Sequence, residues 1–125
     1  MSYDFLVFKP TVEVRSMADL SEEAMAPQQA AEVMAALSRL YPLLQWRDTS
    51  VPGAPPHFGA QYEDGETWYE FSVESPSSLA WSIRTSHRAT QRAVVAQICR
   101  TLGCLAFDGQ AMTMIGPDGK TFATG

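Results

Sequence analysis

The chain has 125 residues, of which 46% are apolar and 18% charged, with two cysteines and a formal net charge of -5 at pH 7. A chain of this length forms one domain, residues 1–125, and buries roughly two-thirds of the surface it exposes when unfolded, enough for a core without metal or disulfide staples. The composition excludes a disordered chain, and an acidic balance with no basic tail argues against nucleic acid as ligand, because that affinity comes from Lys and Arg displacing counterions.

The opening MSYDFLVF lacks a basic region followed by a long apolar stretch and a cleavage site, so it does not read as a signal peptide. No apolar run approaches the roughly 18 residues that span a bilayer. A cytoplasmic protein without membrane contact is the expectation. Within residues 3–8 both alternating sets are mostly apolar, which predicts a strand inside a sheet with cover on each face. Residues 27–41 place Ala30, Val33, Met34, Leu37, Leu40 and Tyr41 at spacings of three and four, the stripe of a helix, with Pro27 in its first turn and Pro42 beyond its end. Residues 43–57 carry Pro52, Gly53, Pro55 and Pro56 and read as a long loop, either a plain crossover or a functional segment.

The run HFGAQYEDGETWYEF places Asp64-Gly65 between two apolar-containing segments, a hairpin signal, so residues 58–85 are predicted as a three-strand meander. In WYEFSVESPSSLAWSIRTS, Tyr69, Phe71 and Val73 alternate with Trp68, Glu70, Ser72 and Glu74, and Leu79, Trp81 and Ile83 alternate with Ala80, Ser82 and Arg84. Directly opposite residues share a face, so the expected register sets Val73 against Leu79, Phe71 against Trp81, Tyr69 against Ile83 and Trp68 against Arg84. A second helix is predicted over residues 88–102, with Ser86 as N-cap and Gly103 as its left-handed end, followed by strands at 105–107 and 112–115 and a turn at GPDG. This order predicts an α+β fold with a ferredoxin-like β-α-β-β-α-β core: an antiparallel sheet, two helices on one face, extra C-terminal strands and the other face open.

Charge is unevenly spread. Six acids and no Lys or Arg lie between Asp48 and Glu74, whereas four arginines and no acid lie between Arg84 and Arg100. Candidate chemistry is sparse. Gly119-Lys120-Thr121 resembles the end of a phosphate-binding loop, but Met114 stands where that motif needs glycine. His57 and His87 form no helical pair, and Cys99 and Cys104 read as buried reduced thiols, so no metal, cofactor or catalytic residue is assigned. Glu22-Glu23 and Glu63-Asp64 read as solvated surface carboxylates. The outer row of the hairpin has a different composition: Trp and Arg are frequent interface anchors, and the neighbouring acids complement a basic protein. The candidate partner-binding set is therefore Glu63, Asp64, Glu66, Trp68, Glu70, Glu74 and Arg84.

MSYDFLVF resembles the opening of a loose group of small bacterial proteins that begin Met-Ser-Tyr-Asp and run into an apolar strand. Many of these look like immunity proteins encoded beside polymorphic toxins, and they end in a helix, a glycine and a short strand finishing in an aromatic and Asp. LGCLAFDG, residues 102–109, is similar to that ending. The resemblance implies a cytoplasmic protein without catalysis of its own that binds and neutralises a cognate toxin, a partner with a basic surface. The alternative is a small-ligand-binding protein or enzyme built as a ferredoxin-like homodimer, with Trp68, Tyr69 and Trp81 lining a cavity and His57 or His87 as its titrating group.

Overall fold

A computed structural model describes residues 3–65, 67–86 and 88–123. Met1, Ser2, Glu66 and His87, all named above, lie outside these residues. In chain order the elements are β1 (Tyr3–Pro10), two 3-10 turns (Met17–Asp19 and Glu22–Ala24), β2 (Met25–Ala26), β3 (Gln28–Gln29), α1 (Ala30–Leu40) and β4 (Arg47–Asp48). There follow β5 (His57–Asp64), β6 (Thr67–Glu74), β7 (Ser77–Ser78), β8 (Ala80–Thr85), α2 (Arg88–Leu102), β9 (Leu105–Asp108), β10 (Thr113–Ile115) and β11 (Thr121–Ala123).

One antiparallel sheet takes the strands in the order β11-β10-β9-β1-β8-β6-β5-β4, with β2 attached to the end of β1 and a separate pairing of β3 with β7. The expected ferredoxin-like core is corrected here: the described residues form two helices and eleven strands, a more β-rich molecule than a β-α-β-β-α-β unit. The physical reason is that residues 43–57 and the C-terminal segment extend the sheet on both sides through strands of two or three residues, too short to leave an alternation in the sequence. Among the described residues no helix is long and apolar enough to cross a membrane.

Both helices pack over one face of the sheet. Phe5 and Val7 of β1, Phe71 and Val73 of β6, and Trp81 and Ile83 of β8 meet Val33 and Leu37 of α1 and Val95 and Ile98 of α2 in one core. The period of two along each strand selects these residues together, and spacings of three and four do so on the helices. Each fully buried side chain of this size contributes about 1.5–3 kcal/mol relative to its exposed state. The end of α2 follows its signal, since Gly103 adopts φ +67° and the Cys104 N–H donates to the Cys99 carbonyl at 3.1 Å. The start of α1 is later than its stripe suggests. Gln28 and Gln29 pair as a short strand with Ser78 and Ser77, and the Gln28 side-chain oxygen accepts from Trp81 Nε1 at 3.1 Å and Cys104 Sγ at 3.4 Å.

The opposite face is not open along its whole width. Phe8, Leu105 and Met114 project from it, and the segment 11–26 folds back so that Val14, Leu20 and Met25 close a second, smaller core over them. The Thr11 N–H donates to the Ala24 carbonyl at 2.8 Å, and β2 pairs with the end of β1. What remains uncovered is the half of that face built from β5, β6 and β8. The expected GPDG turn joins β10 to β11, with the Gly119 N–H donating to the Gly116 carbonyl at 2.8 Å, so the residues that resembled a phosphate-binding loop form a hairpin.

The meander β5-β6-β8 is formed, but the register of its second hairpin differs from the expected one. Tyr69 lies opposite Thr85, Glu70 opposite Arg84, Phe71 opposite Ile83 and Ser72 opposite Ser82. The shift is two residues, which keeps the paired side chains on their expected faces, whereas Leu79, expected in the core opposite Val73, falls in the connection and is only partly buried. It arises because residues 75–79 form a longer connection: Ser77 and Ser78 leave the hairpin to pair with β3, and the Ser75 N–H donates to the Pro56 carbonyl at 2.8 Å.

Cys99 and Cys104 are free and buried. Burial pushes the Cys99 thiol up to about 12, with the neighbouring Cys104 adding to it, and pushes Cys104 up to about 11. An unfolded thiol ionises near ~8.5, so the unfolded chain sheds protons that the folded chain keeps. The stabilisation is fully present below that value and is lost as pH rises towards the folded pKa values. Neither thiol should react with a water-soluble disulfide reagent at pH 8 until denaturant is added, and urea stability should fall between pH 8 and pH 10, less steeply in Cys99→Ala. Rapid labelling of the native protein would contradict this burial.

Candidate functional site

The uncovered half-face is ordered by its cross-strand rows. Gln61, Glu70, Arg84 and Asp4 lie side by side on β5, β6, β8 and β1. Arg84 Nε donates to Asp4 Oδ1 at 3.1 Å, and Gln61 Nε2 donates to Glu70 Oε2 at 3.4 Å. The next row is Gly59, Ser72, Ser82 and Leu6, with small residues on the first three strands. Directly opposite or adjacent residues of this kind interact because their Cβ atoms lie within about 5 Å.

At the β4 end the sheet forks. β4 pairs with β5 only at Phe58 and Gly59, and the preceding residues 42–46 diverge from β5 towards the end of α1. The fork opens a groove of about 1100 Å³ that wraps the sheet edge. Glu63, Glu70 and Glu74 line its outer side, together with Arg47 and His57. Tyr41 and Tyr62, stacked with ring centroids 4.0 Å apart, line its inner side. The wall carries two apolar side chains in solvent, Leu43 at 94% and Val51 at 64% exposure.

Hydrogen bonds pin the wall to α1 and to the sheet. Trp46 Nε1 donates to the Ser38 hydroxyl at 3.0 Å, the Thr49 N–H to the His57 carbonyl at 2.8 Å and the His57 N–H to the Ser50 hydroxyl at 2.9 Å. The Thr49 hydroxyl and His57 Nδ1 are 2.6 Å apart. Hydrogen bonding from Ser50 holds the Asp48 carboxyl below the usual carboxylate range, so this acid remains charged and engaged in the turn. Gly59 packs against the wall, where a Cβ would meet the Thr49 methyl at 3.4 Å and the Phe71 carbonyl oxygen at 3.5 Å, ordinary van der Waals contact. A concave surface with one apolar wall, stacked rings and three carboxylates is suited to holding a positively charged chain against an apolar shelf.

Of the residues named from the sequence, Glu63, Glu70 and Glu74 are brought together in this groove. Trp68 and Arg84 are outside it. Trp68 lies opposite Glu63 on β5, and its N–H donates to the Ser86 hydroxyl at 3.1 Å while its carbonyl accepts from the Ser86 N–H at 3.2 Å. Arg84 faces Glu70 and binds Asp4, so the expected placement of Arg84 opposite Trp68 gives way to an ion pair between β8 and β1. Asp64 ends β5, with its side chain outside the described set, and Glu66 lies outside it entirely. Tyr69 and Trp81 are buried in the helix-side core, so the cavity that the ligand-binding alternative placed around them is not formed; His57 does line the groove. Arg47, Leu43 and Val51 had no sequence signal apart from the proline-rich composition around them, and Gln61 none beyond its place in a predicted strand. Asp108, at the end of the second matching segment, accepts from the Gln110 and Ala111 N–H groups at 3.1 Å and closes the turn after β9. Among the described residues no group of three or more His, Cys, Asp and Glu is placed to hold a metal ion.

The Asp4–Arg84 pair is half exposed, at 62% and 54% of the side-chain surface, so its coupling is small. A double-mutant cycle with Asp4→Asn and Arg84→Gln should give about 0.2–1 kcal/mol, shrinking in high salt, as for other exposed pairs. A coupling several times larger would place both groups in a drier setting than the sheet surface provides.

Comparison with known proteins returns no matching family model, no matching curated protein and no matching solved structure.

Proposed function

We propose that this protein is an immunity-type binding protein, acting without catalysis of its own, that holds a basic surface of a cognate toxin in the groove between β5 and residues 42–55. One observation carries the reading: three carboxylates from two adjacent strands, Glu63, Glu70 and Glu74, line a groove of about 1100 Å³ beside the exposed apolar side chains of Leu43 and Val51. Carboxylates on a groove rim raise the encounter rate with a basic partner, and a flanking apolar shelf slows its departure. The terminal segments MSYDFLVF and LGCLAFDG support the same role by resemblance alone.

The strand register decides which acids make the cleanest test. Glu70 lies opposite Arg84, so reversing its charge sets two like charges across the sheet and disturbs the fold. Glu63 and Glu74 have no such opposite cation, since they face Trp68 and His57. Co-expression with the product of the adjacent reading frame should yield a stable complex and protect the cells. The double variant Glu63→Lys/Glu74→Lys should lower the association rate about tenfold or more at low salt, with an unchanged thermal midpoint. The absence of both complex and protection would refute the proposal, and full affinity in the double variant would move the binding surface away from the groove.

A further inference from the structure

The mode of binding can be read from the backbone at the fork. β5 is eight residues long and pairs with β6 along its whole length, but β4 covers it only at Phe58 and Gly59. The His57 carbonyl points to the β4 side, where it accepts the Thr49 N–H. Backbone groups of an antiparallel strand alternate sides every residue, so the N–H and C=O groups of Gly59, Gln61 and Glu63 point to that side as well. Gly59 meets Arg47 there; Gln61 and Glu63 have no described neighbour strand, and both are exposed. Four backbone hydrogen-bonding groups therefore face the groove in the geometry of a strand edge.

Resting on the reading that the groove receives a basic partner, we infer that the partner enters as an added antiparallel strand on β5, extending the line of β4, with Lys or Arg at alternate positions and an apolar residue between them. Charge decides the face. Partner residues opposite Gln61 and Glu63 share the outer face with the carboxylates of Glu63 and Glu70, so those two positions take basic side chains. The residue between them lies opposite Tyr62 and points to the inner side, where Tyr62 stacks on Tyr41 and Leu44 lines the same groove. The same charges disfavour a second copy of this chain as occupant, because edge-to-edge pairing would bring Glu63 and Glu70 of both copies onto one face.

The probe is the acetylated, amidated pentapeptide lysine-valine-lysine-valine-lysine, added to the full chain and followed by calorimetry and by amide hydrogen exchange. In the inferred pairing the lysine N–H groups face β5 and the valine N–H groups face away. N-methylation of the central lysine amide, which faces Gln61 or Glu63 in either register of the peptide, should weaken binding about tenfold, the upper range for one backbone bond, whereas N-methylation of the valines should have little effect. Exchange at Gln61 and Glu63 should slow on binding, and a peptide with glutamate in place of lysine should not bind. Glu63→Pro deletes one edge-side donor while sparing the β6 ladder, and should repeat the effect of methylation if the variant folds.

Equal binding of the two methylated peptides, with partner binding still lost in Glu63→Lys/Glu74→Lys, would overturn strand addition and leave the groove as a side-chain site. Indifference of both peptide and partner to that double variant would overturn the groove reading itself. Concentration-dependent dimerisation that protects Gln61 and Glu63 without peptide would assign the edge to a second copy and overturn the inference.

Discussion

The structure depends on β1 being paired on both sides. It bonds to β8 along one edge and to β9 along the other, which joins the meander that precedes α2 to the strands that follow it. Its period of two then divides the molecule: Phe5 and Val7 enter the helix-side core, and Phe8 enters the small core closed by residues 11–26. A strand so placed has no free backbone edge and needs cover above and below. Every strand that cannot reach this centre is pushed outward, and β5 becomes the last long strand before the chain runs short of partners.

That outward position creates the functional opportunity. A long strand with one bare half is an aggregation hazard unless something guards it. At the other end of the sheet the guard is brevity, since β11 has three residues. At β5 the guard is charge, with Glu63 on the bare half and Glu70 beside it on β6. On the proposed reading, the same carboxylates serve two ends, disfavouring pairing with a second copy and favouring a basic chain. Electrostatics of this kind sets encounter rate and partner choice more than final affinity, and in the proposed complex the stacked tyrosines and the exposed Leu43 and Val51 would supply the contact area.

Much of the local structure was legible where a period was long enough to be read. α2 spans Arg88–Leu102 as its stripe and Gly103 indicated, and Tyr69, Phe71, Val73, Trp81 and Ile83 share one buried face as alternation required. Alternation specifies a face and not a neighbour, so the hairpin could slip by two residues while Tyr69, Phe71, Trp81 and Ile83 stayed buried, and it did, with Leu79 alone leaving the strand. Gln28 and Gln29 sat in a sequence that reads as the first turn of a helix, but tertiary pairing with Ser77 and Ser78 and the buried bonds of Gln28 to Trp81 and Cys104 prevailed. The ferredoxin-like description failed for another reason: strands of two or three residues carry no period. In the candidate site, the acids were visible as composition, whereas the groove was not. Its wall follows a proline-rich path set by bonds from Trp46, Thr49 and Ser50, and those side chains form no repeating pattern.

The central claim is that the fork between β4 and β5 is the surface that meets the partner. It is tested most directly by a hydrogen-exchange footprint of the complex with the product of the adjacent reading frame. The account predicts protection along residues 42–64, strongest at the Gln61 and Glu63 amides and weak around Arg84 and Leu6. Protection concentrated instead on residues 10–15 and 116–122, or on the β1–β8 half of the open face with β5 unchanged, would contradict it.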